Sequence, residues 1–354
     1  MKSRPVNGAN LREKRLYKQE GRMLGLTKIK PGVGALALTD RPEPHARSGY
    51  AVIEVRGAGI CGTDLHIERG EYACCPPVTL GHEVAGVVVE ADVIDAMDWK
   101  GARVVSETYF STCEICHNCR TGRPNLCDRR KSIGTHVDGA FASHLLVPAK
   151  NLHRIPDWLD EHAAALAEPL ACVCNCLCDP TAISPGDRVL VTGPGPVGLL
   201  AAQVARAAGA VPVLMGTPSD TVRLEVGRKL GFEVVIAGEA LREIDVAIEC
   251  SGHPAAVFAA LNALKRGGGY VQIGIFGREV SIPMDMFLLK ELSFRTGFAS
   301  TPRSWRRAMS LIEKRLVTFD PLLSAVAPLS EWEAVFDDLR SARSLKTVFD
   351  PRIG

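Results

Sequence analysis

The sequence lacks the features of a membrane protein or a secreted one. No apolar run reaches the roughly 18 residues that a membrane-spanning helix needs. No apolar block follows the basic N-terminus, as it would in a signal peptide. We therefore expect a cytoplasmic protein with no membrane partner.

The sequence also lacks an excess of charge of either sign. Lys and Arg number 42 and Asp and Glu 40, and residues 1–22 alone hold seven basic and two acidic residues. The remainder is slightly acidic, which argues against nucleic acid as a partner. We interpret residues 1–22 as a disordered basic extension, with a targeting or phosphate-binding arm as the alternative.

The clearest motif that is present is VLVTGPGPVG at residues 189–198, an aliphatic run that ends in a glycine-rich turn. Gly193, Gly195 and Gly198 fill the positions of G-x-G-x-x-G, and a helical pattern follows. The first glycine allows a tight turn, the second a close approach to a pyrophosphate, and the third close packing of helix on strand. The motif predicts a dinucleotide-binding turn.

The chain is long enough for two domains. Between residues 24 and 55, short strand-like runs separated by Pro, Gly and Asp indicate an antiparallel, barrel-like region. From Asp187 onward, apolar runs alternate with helical segments in the pattern of a parallel, doubly wound sheet of about six strands. A last strand near residues 346–349 is expected to return to the first domain.

Twelve cysteines in a chain of this kind favour metal ligation and buried thiols over disulfides. Cys113, Cys116, Cys119 and Cys127 have the spacing C-x2-C-x2-C-x7-C in a loop with few apolar neighbours, which predicts a closed tetrahedral zinc site. Because sulfur fills all four positions, this zinc would be structural. Iron–sulfur ligation is the alternative.

Other candidate ligands are dispersed along the chain. Cys61 and His82 lie 21 residues apart, so only a fold that joins two loops could use them together. A helix is predicted for residues 162–180, where cysteines at 172, 174, 176 and 178 look like a metal array. A spacing of two places neighbours on opposite helix faces, so we interpret them as packing residues. Glu168 is an acid in this apolar helix and either pairs locally or is held for a function.

Together these motifs resemble the zinc-containing medium-chain alcohol dehydrogenase superfamily, most closely its polyol (sorbitol or iditol) and threonine dehydrogenase branches. The match is carried by CGTDLH at 61–66, GHEVAG at 81–86, the four-cysteine segment and GPGPVG. The resemblance implies an α/β fold with a GroES-like β-barrel catalytic domain over 23–175, which includes the zinc lobe. A Rossmann domain over 176–312 and a C-terminal return over 313–354 complete it.

The resemblance also implies a second, catalytic zinc, so that each subunit holds two Zn²⁺. Its ligands would be Cys61, His82 and Glu168 of the AEPL sequence, with Cys172 as the competitor for the third position. When bound, such a zinc lowers the pKa of an alcohol oxygen. Glu83 corresponds to a glutamate near the zinc.

Three further residues receive roles by resemblance. Asp64 corresponds to the carboxylate that orients the ligand histidine. Thr63 corresponds to the hydroxyl that contacts the substrate oxygen, and His66 to the outer end of the proton path.

The expected cofactor is NAD or NADP. Thr217 follows the second predicted Rossmann strand, where NAD-specific members have an acid that holds the ribose 2′-hydroxyl. Without that acid, Arg223 could approach a 2′-phosphate. The alternative is that Asp220 reaches the ribose and NAD is used as usual. The other expected cofactor contacts are Pro196, Val197, Ile273, Gly274 and Ile275.

These assignments predict an NAD(P)-linked dehydrogenase that oxidises a secondary hydroxyl of a polyol, cyclitol or hydroxy-amino acid. Ala299, Ser300 and Thr301 stand where polyol dehydrogenases have an arginine and an aromatic residue, which argues against sorbitol itself. The alternatives are an alcohol dehydrogenase that reduces aldehydes and a non-catalytic, cofactor-binding scaffold. The resemblance implies a homotetramer or homodimer, joined through the apolar sixth-strand region around Ile282–Leu289.

Overall fold

The computed structural model describes residues 21–341 and 343–353. The predicted basic extension lies outside this range except for its last two residues, Gly21 and Arg22, and the first strand begins at Arg22. Within the described range, every helix is too short or too polar to cross a membrane.

Strands and helices divide the chain into a β-rich part, an alternating part and a short return. The strands are β1 (Arg22–Lys28), β2 (Leu36–Pro42), β3 (Tyr50–Gly59), β4 (Val78–Thr79), β5 (Glu83–Ala91), β6 (Arg103–Ser106), β7 (Tyr109–Ser111), β8 (Lys131–Ser132), β9 (His144–Pro148), β10 (Leu152–Arg154), β11 (Arg188–Thr192), β12 (Val211–Gly216), β13 (Glu233–Ile236), β14 (Ile244–Glu249), β15 (Leu264–Gln272), β16 (Ser293–Thr296), β17 (Leu323–Ala327) and β18 (Lys346–Phe349). The α-helices are α1 (Gly62–Glu68), α2 (Ala96–Trp99), α3 (His117–Arg120), α4 (Ala167–Leu177), α5 (Pro196–Ala207), α6 (Thr221–Lys229), α7 (Pro254–Ala263), α8 (Met284–Leu289), α9 (Pro302–Glu313) and α10 (Trp332–Arg340).

The first domain is built around β3. This strand pairs antiparallel with β5, β9 and β18, within a sheet of order β10-β6-β5-β3-β18-β17. Ala51, Ile53 and Val55 are fully buried, as expected for a strand that turns one face to a core. Two smaller sheets, β2-β1-β4 and β7-β8, complete the domain.

The second domain is a sheet of six parallel strands in the order β13-β12-β11-β14-β15-β16. Val189, Leu190 and Val191 of β11 are fully buried, because helices cover both faces of a parallel sheet. The strand order reverses between β11 and β14. In open α/β sheets, ligands bind at this reversal, beyond the carboxyl ends of the strands.

The C-terminal segment returns to the first sheet. β18, at the predicted residues, pairs with β3, and β17, which the sequence did not indicate, pairs parallel with β18. His162 Nε2 lies 2.9 Å from Asp350 Oδ2, which ties this return to the segment that leads into α4. The predicted boundary between residues 175 and 176 falls inside α4, a helix that packs on α5 and α9.

The expected sixth-strand region around Ile282–Leu289 is wrong in its secondary structure. Met284–Leu289 is α8, and the sixth strand is β16. Met and Leu are not branched at Cβ and favour a helix, and Pro283 precedes the first turn, which contains Asp285. Met284, Leu288 and Leu289 are exposed on this helix.

Candidate active site and metal centres

The four-cysteine lobe (residues 113–127) brings its four sulfur atoms together. Cys113, Cys116, Cys119 and Cys127 place every sulfur within 4.8 Å of the others, and Cys113 Sγ lies 3.9 Å from Cys119 Sγ. A tetrahedral zinc with Zn–S bonds of about 2.3 Å requires sulfur–sulfur distances of about 3.8 Å. The lobe therefore fits a four-sulfur zinc site.

Main-chain amides support thiolates in this lobe. The N–H of Cys116 donates to Cys113 Sγ at 3.3 Å, and the N–H of Cys113 donates to Cys127 Sγ at 3.4 Å. The hydrogen bond from Cys116 lowers the pKa of Cys113 to about 6. A thiolate is the form that binds a metal, so the local backbone prepares a ligand here.

A second group of ligand atoms, the cleft cluster, comprises Cys61, His82, Glu83 and Glu168. Cys61 precedes α1, His82 and Glu83 stand at the start of β5, and Glu168 lies in the first turn of α4. Cys61, His82 and Glu83 have ligand atoms within 4.8 Å of one another. Glu168 lines the same cavity as Cys61 and His82, and Cys172 Sγ donates to its Oε1 at 3.3 Å.

Buried charge in the cleft does not balance without a cation. Asp64, Glu83 and Glu168 are all buried, and Lys346 is the buried ammonium among them. With a neutral histidine, these groups leave two negative charges before Cys61 is counted. Unpaired buried charges are costly, so this donor set fits a divalent cation.

The pKa shifts agree with that imbalance. Burial raises the pKa of Glu168 to about 7, with a further contribution from the charge of Glu83. Burial on its own lowers the pKa of His82, but the charges of Asp64 and Cys61 outweigh it and raise that pKa well above its ordinary value. The negative surroundings thus hold a positive charge at this position.

Lys346 distinguishes the two glutamates. Its ammonium forms a salt bridge with Glu83 and donates to the carbonyl of Ile60 at 2.7 Å. Among the described residues, Glu168 accepts a hydrogen bond only from the thiol of Cys172 and forms no salt bridge. Of the two glutamates, Glu83 is therefore the one that is paired with an ammonium group.

Asp64 does not make the expected hydrogen bond to His82 in this structure. Its Oδ2 accepts the main-chain N–H of Cys61 at 2.9 Å, while its Oδ1 lies 3.7 Å from His82 Nδ1, which is too long for a hydrogen bond. Both facing atoms are buried and without a partner. Asp64 thus fixes the backbone of Cys61 and faces the imidazole.

The predicted proton-path residues lie on α1. Thr63 lines the cavity, and its Oγ1 lies 3.6 Å from Cys61 Sγ. His66 Nδ1 lies 2.6 Å from Glu71 Oε2, and this contact lowers the pKa of Glu71. A Cβ at Gly277 would lie 3.1 Å from His66 Cε1, so a loop of the second domain covers the histidine.

The glycine-rich turn has the geometry that the motif predicts. Gly193 has φ +87°, and a Cβ there would lie 2.7 Å from Ser251 Cβ, so only glycine fits. A Cβ at Gly198 would strike the carbonyl oxygen of Gly193. At Gly195, the N-cap of α5, nothing lies within 4 Å of that position, which leaves space for a phosphate at the helix N-terminus.

In the turn after β12, the carboxylate of Asp220 accepts hydrogen bonds from within the turn itself. Asp220 Oδ2 accepts the N–H of Thr217 at 2.9 Å and its hydroxyl at 2.7 Å. Arg223 lies 3.7 Å from Asp220 and donates to the carbonyl of Ser344, while its Nε is buried without a partner. The carboxylate is thus held against the turn.

Both domains line one cavity of about 200 Å³, which contains the cleft cluster residues Cys61, His82 and Glu168. The second domain contributes Val197, Ile273 and Ile275 of the predicted cofactor residues. Gly274 fits because a Cβ there would lie 2.3 Å from the N of Gly252, and Pro196 is the first residue of α5. The predicted ligands of the catalytic zinc therefore line one cavity with three of the predicted cofactor residues, whereas Thr217 and Arg223 lie outside its lining.

The sequence analysis missed three residues of this cleft. Lys346 donates a hydrogen bond to the carbonyl of Ile60, which lies 286 residues earlier in the sequence. Glu71 lies five residues after His66, and an acid at that spacing is the only signal that could have found it. Arg130 lines the cavity just after the four-cysteine lobe.

Known families match both domains. Residues 47–157 match the alcohol dehydrogenase GroES-like domain, and residues 196–314 match the zinc-binding dehydrogenase family. A sorbitol dehydrogenase of Halalkalibacterium halodurans is 35% identical and aligns with 93% of this chain and 99% of its own. A D-arabitol-phosphate dehydrogenase of Enterococcus avium is 32% identical, over 93% of this chain and 97% of its own.

A solved structure matches the whole arrangement. A zinc-binding dehydrogenase from Sinorhizobium meliloti, bound to NADP, superposes with a TM-score of 0.84 at 32% identity. The match covers 94% of this chain and 100% of that one. The two-domain architecture is thus shared with a nucleotide-binding relative.

Proposed function

The chain belongs to the zinc-dependent medium-chain dehydrogenases, and on that premise we propose that it oxidises a secondary hydroxyl group to a ketone with NAD(P). It is an oxidoreductase with a GroES-like domain and a Rossmann domain. The observation that carries the proposal is the cleft in which Cys61, His82 and Glu168 line one cavity with Val197 and Ile273.

The catalytic metal would be a zinc held by Cys61, His82 and Glu168. Glu168 is preferred over Glu83 because the charge of Glu83 is already compensated by Lys346. When bound, the zinc acts as a Lewis acid that makes the substrate hydroxyl more acidic. A second zinc would occupy the four-cysteine lobe, so we propose two Zn²⁺ per chain.

The chain's own residues orient the substrate and remove its proton. Thr63, beside Cys61, would accept the proton of the substrate hydroxyl at Oγ1 while it releases its own hydroxyl proton towards the imidazole of His66. Glu71 holds Nδ1 of that imidazole, and the loop at Gly277 covers the ring. NAD(P), when bound, accepts the hydride from the carbinol carbon.

We propose that the enzyme is not strictly specific for NAD and also accepts NADP. Asp220 is held by Thr217 and faces Arg223, so it is not free to bind the ribose hydroxyls. Steady-state rates with each cofactor test this proposal, and Thr217→Glu should shift preference towards NAD. A preference of the unmodified enzyme for NAD above about 100-fold, close to the ~3 kcal/mol of a charged contact, contradicts it.

The test of the main proposal is a panel of secondary alcohols: polyols, cyclitols and hydroxy-amino acids. We expect reduced cofactor to form with at least one of them, and Thr63→Ala to abolish most of that rate while the melting temperature is kept. A protein that binds two zincs and cofactor yet oxidises no member of the panel would be a scaffold instead. Faster reduction of simple aldehydes would favour the alcohol dehydrogenase alternative.

We also propose a homodimer or homotetramer that covers the exposed apolar residues of α8. Met284, Leu288 and Leu289 are each more than half exposed in the single chain. Light scattering that finds a monomer at micromolar concentration excludes this assembly. The cytoplasmic location stays a prediction.

A further inference from the structure

The cavity has a second polar wall that the proposed chemistry does not use. Arg130 and Ser132, called here the Arg130 wall, line the same cavity as Cys61 and Glu168. Arg130 lies just before β8 and Ser132 is the last residue of that strand. Both residues line the cavity, so their polar groups are available on one wall.

Arg130 has no partner for its charge. Its Nη1 is buried without a hydrogen bond, and no carboxylate of the described residues lies within salt-bridge distance of it. The guanidinium lies over the Phe298 ring, with Cζ 4.9 Å from the centroid. This stacking fixes the plane of the group but leaves its N–H donors available.

Ser132 provides the second unpaired donor. It is 6% exposed, and its Oγ is buried without a partner. The neighbouring hydroxyl of Thr135 is already engaged with His136 Nδ1 at 2.9 Å, and burial, reinforced by the charge of Arg130, lowers the pKa of that histidine. His136 is therefore neutral and leaves Arg130 as the cation of this wall.

Buried donors without partners are rare because leaving them unsatisfied is costly. A guanidinium fork and a hydroxyl are together the donors that carboxylates and phosphates require. The proposed zinc would hold the reacting hydroxyl near Cys61, His82 and Glu168, whereas the Arg130 wall offers donors for an oxyanion. A substrate that carries both groups would thus be held at two points of the cavity.

We propose that the Arg130 wall binds an oxyanion, a carboxylate or a phosphate, that the substrate carries at the end remote from the reacting hydroxyl. The proposal rests on the proposed function, since it names the substrate class of the same site. The substrate is then a hydroxy acid or a sugar-alcohol phosphate, and neutral polyols of the same length are poor substrates.

The test compares three substrates of equal chain length: xylitol, its phosphate monoester, and the five-carbon aldonate. We expect one of the two anionic compounds to be preferred over xylitol by at least about 100-fold in kcat/KM, and the better of the two identifies the anion. Arg130→Gln should remove that preference mainly through a higher KM for the anionic substrate, so that kcat/KM falls much more for the anionic substrate than for xylitol. Arg130→Lys should restore part of it.

Arg129→Gln is the matched control, because it removes the same charge from the exposed neighbouring residue. It should leave all three rates within about twofold. Circular dichroism and melting temperature establish that each variant is folded. Equal loss on charged and neutral substrates, or a raised KM for the cofactor in place of the substrate, overturns the proposal. So does a wild-type enzyme that prefers xylitol.

Failure of the proposed function has a different signature. If the wild-type protein oxidises none of the alcohols, anion binding is measured directly by calorimetry with inorganic phosphate and with acetate. The protein is first saturated with NADP, so that the phosphate sites of the cofactor are filled. The proposal is supported if the wild type binds one of these anions, Arg130→Gln abolishes that binding and Arg129→Gln retains it. It is overturned if the wild type binds neither anion.

Discussion

The four-cysteine lobe and the cleft cluster are two candidate metal sites that differ in where their ligands come from and in the ligand atoms that they offer. The lobe takes all its ligands from 15 consecutive residues, between 113 and 127, and uses sulfur alone. The cleft cluster draws on residues near 61, 82 and 168 and mixes sulfur, nitrogen and oxygen. The lobe can therefore form from local structure, whereas the cleft exists only when both domains are folded.

The two sites also stabilise ligand charge differently. In the lobe, main-chain amides donate hydrogen bonds to the sulfur atoms, so the local backbone stabilises the thiolate charge. In the cleft, buried carboxylates accumulate beside one histidine and one lysine. A structural site needs only to be closed, but a catalytic one must keep a position and a charge available for substrate.

Of the substitutions considered, Cys116→Ser should lower stability the most, and it should remove metal from the four-cysteine lobe alone. We expect the zinc content to fall from two ions per chain to one, and the free energy of unfolding to fall by on the order of 5 kcal/mol, because ligation energy is folding energy there. Metal analysis and thermal melting measure both quantities. Cys75→Ser, at an exposed cysteine outside both sites, is the control. Normal melting of Cys116→Ser would show that the lobe does not hold a structural metal.

Glu168→Ala should act on the other site alone. We expect kcat/KM to fall by about 1,000-fold, or ~4 kcal/mol, with one zinc lost and the melting temperature kept. Cys172→Ser should retain both zincs. X-ray absorption of the catalytic zinc, after subtraction of the lobe, should show one sulfur ligand. Two sulfurs, or loss of zinc from Cys172→Ser, would make Cys172 the ligand instead.

Lys346→Met tests whether the ammonium of Lys346, from the C-terminal segment, compensates the buried carboxylate of Glu83 in the first domain. Removing the ammonium leaves the carboxylate of Glu83 buried and unpaired, which should cost about 3 kcal/mol of stability. Adding Glu83→Gln in the same chain should recover much of that loss, because both charges of the pair are then removed and the net charge of the cleft is that of the wild type. Chemical denaturation of the single and double variants measures it. Additive losses would mean that the two side chains do not act as a pair.

Asp350→Asn should have the smallest effect: we expect the free energy of unfolding to fall by about 1 kcal/mol and the zinc content of the lobe to stay unchanged. Burial alone would raise the pKa of Asp350, but hydrogen bonds from Arg352 and His162 lower it to about 2. Because the folded pKa lies below the unfolded value of about 3.9, this contribution is present above pH ~4 and is lost as the pH falls towards 2. Melting curves across that range should therefore converge for the wild type and the variant. Curves that stay parallel contradict the assignment.

The contrast between the sites also explains what the sequence could predict. Cysteine spacing identified the lobe and glycine spacing the cofactor turn, because both depend on neighbours in the chain. The alternation after Asp187 predicted the six parallel strands, and Lys346–Phe349 was placed correctly as a strand. The resemblance supplied Cys61, His82 and Glu168 as a set, which spacing alone could not do.

Long-range contacts account for what was missed. Nothing near Lys346 in the chain indicates that its ammonium lies beside Glu83, and nothing near Arg130 indicates that Phe298 covers it. The run around Ile282–Leu289 is apolar whether it forms a strand or a helix, so its pattern did not decide between them. Such features depend on which segments the fold brings together.

The return of β18 to β3 has a consequence for the order in which the protein is made. The first sheet takes strands from both sides of the Rossmann segment, and Lys346, which pairs with Glu83 in the cleft, is synthesised after the whole of that segment. The six parallel strands between Arg188 and Thr296 are contiguous and can complete their sheet during synthesis. The domain encoded first therefore finishes second, and a truncated chain keeps a nucleotide fold without a finished catalytic cleft.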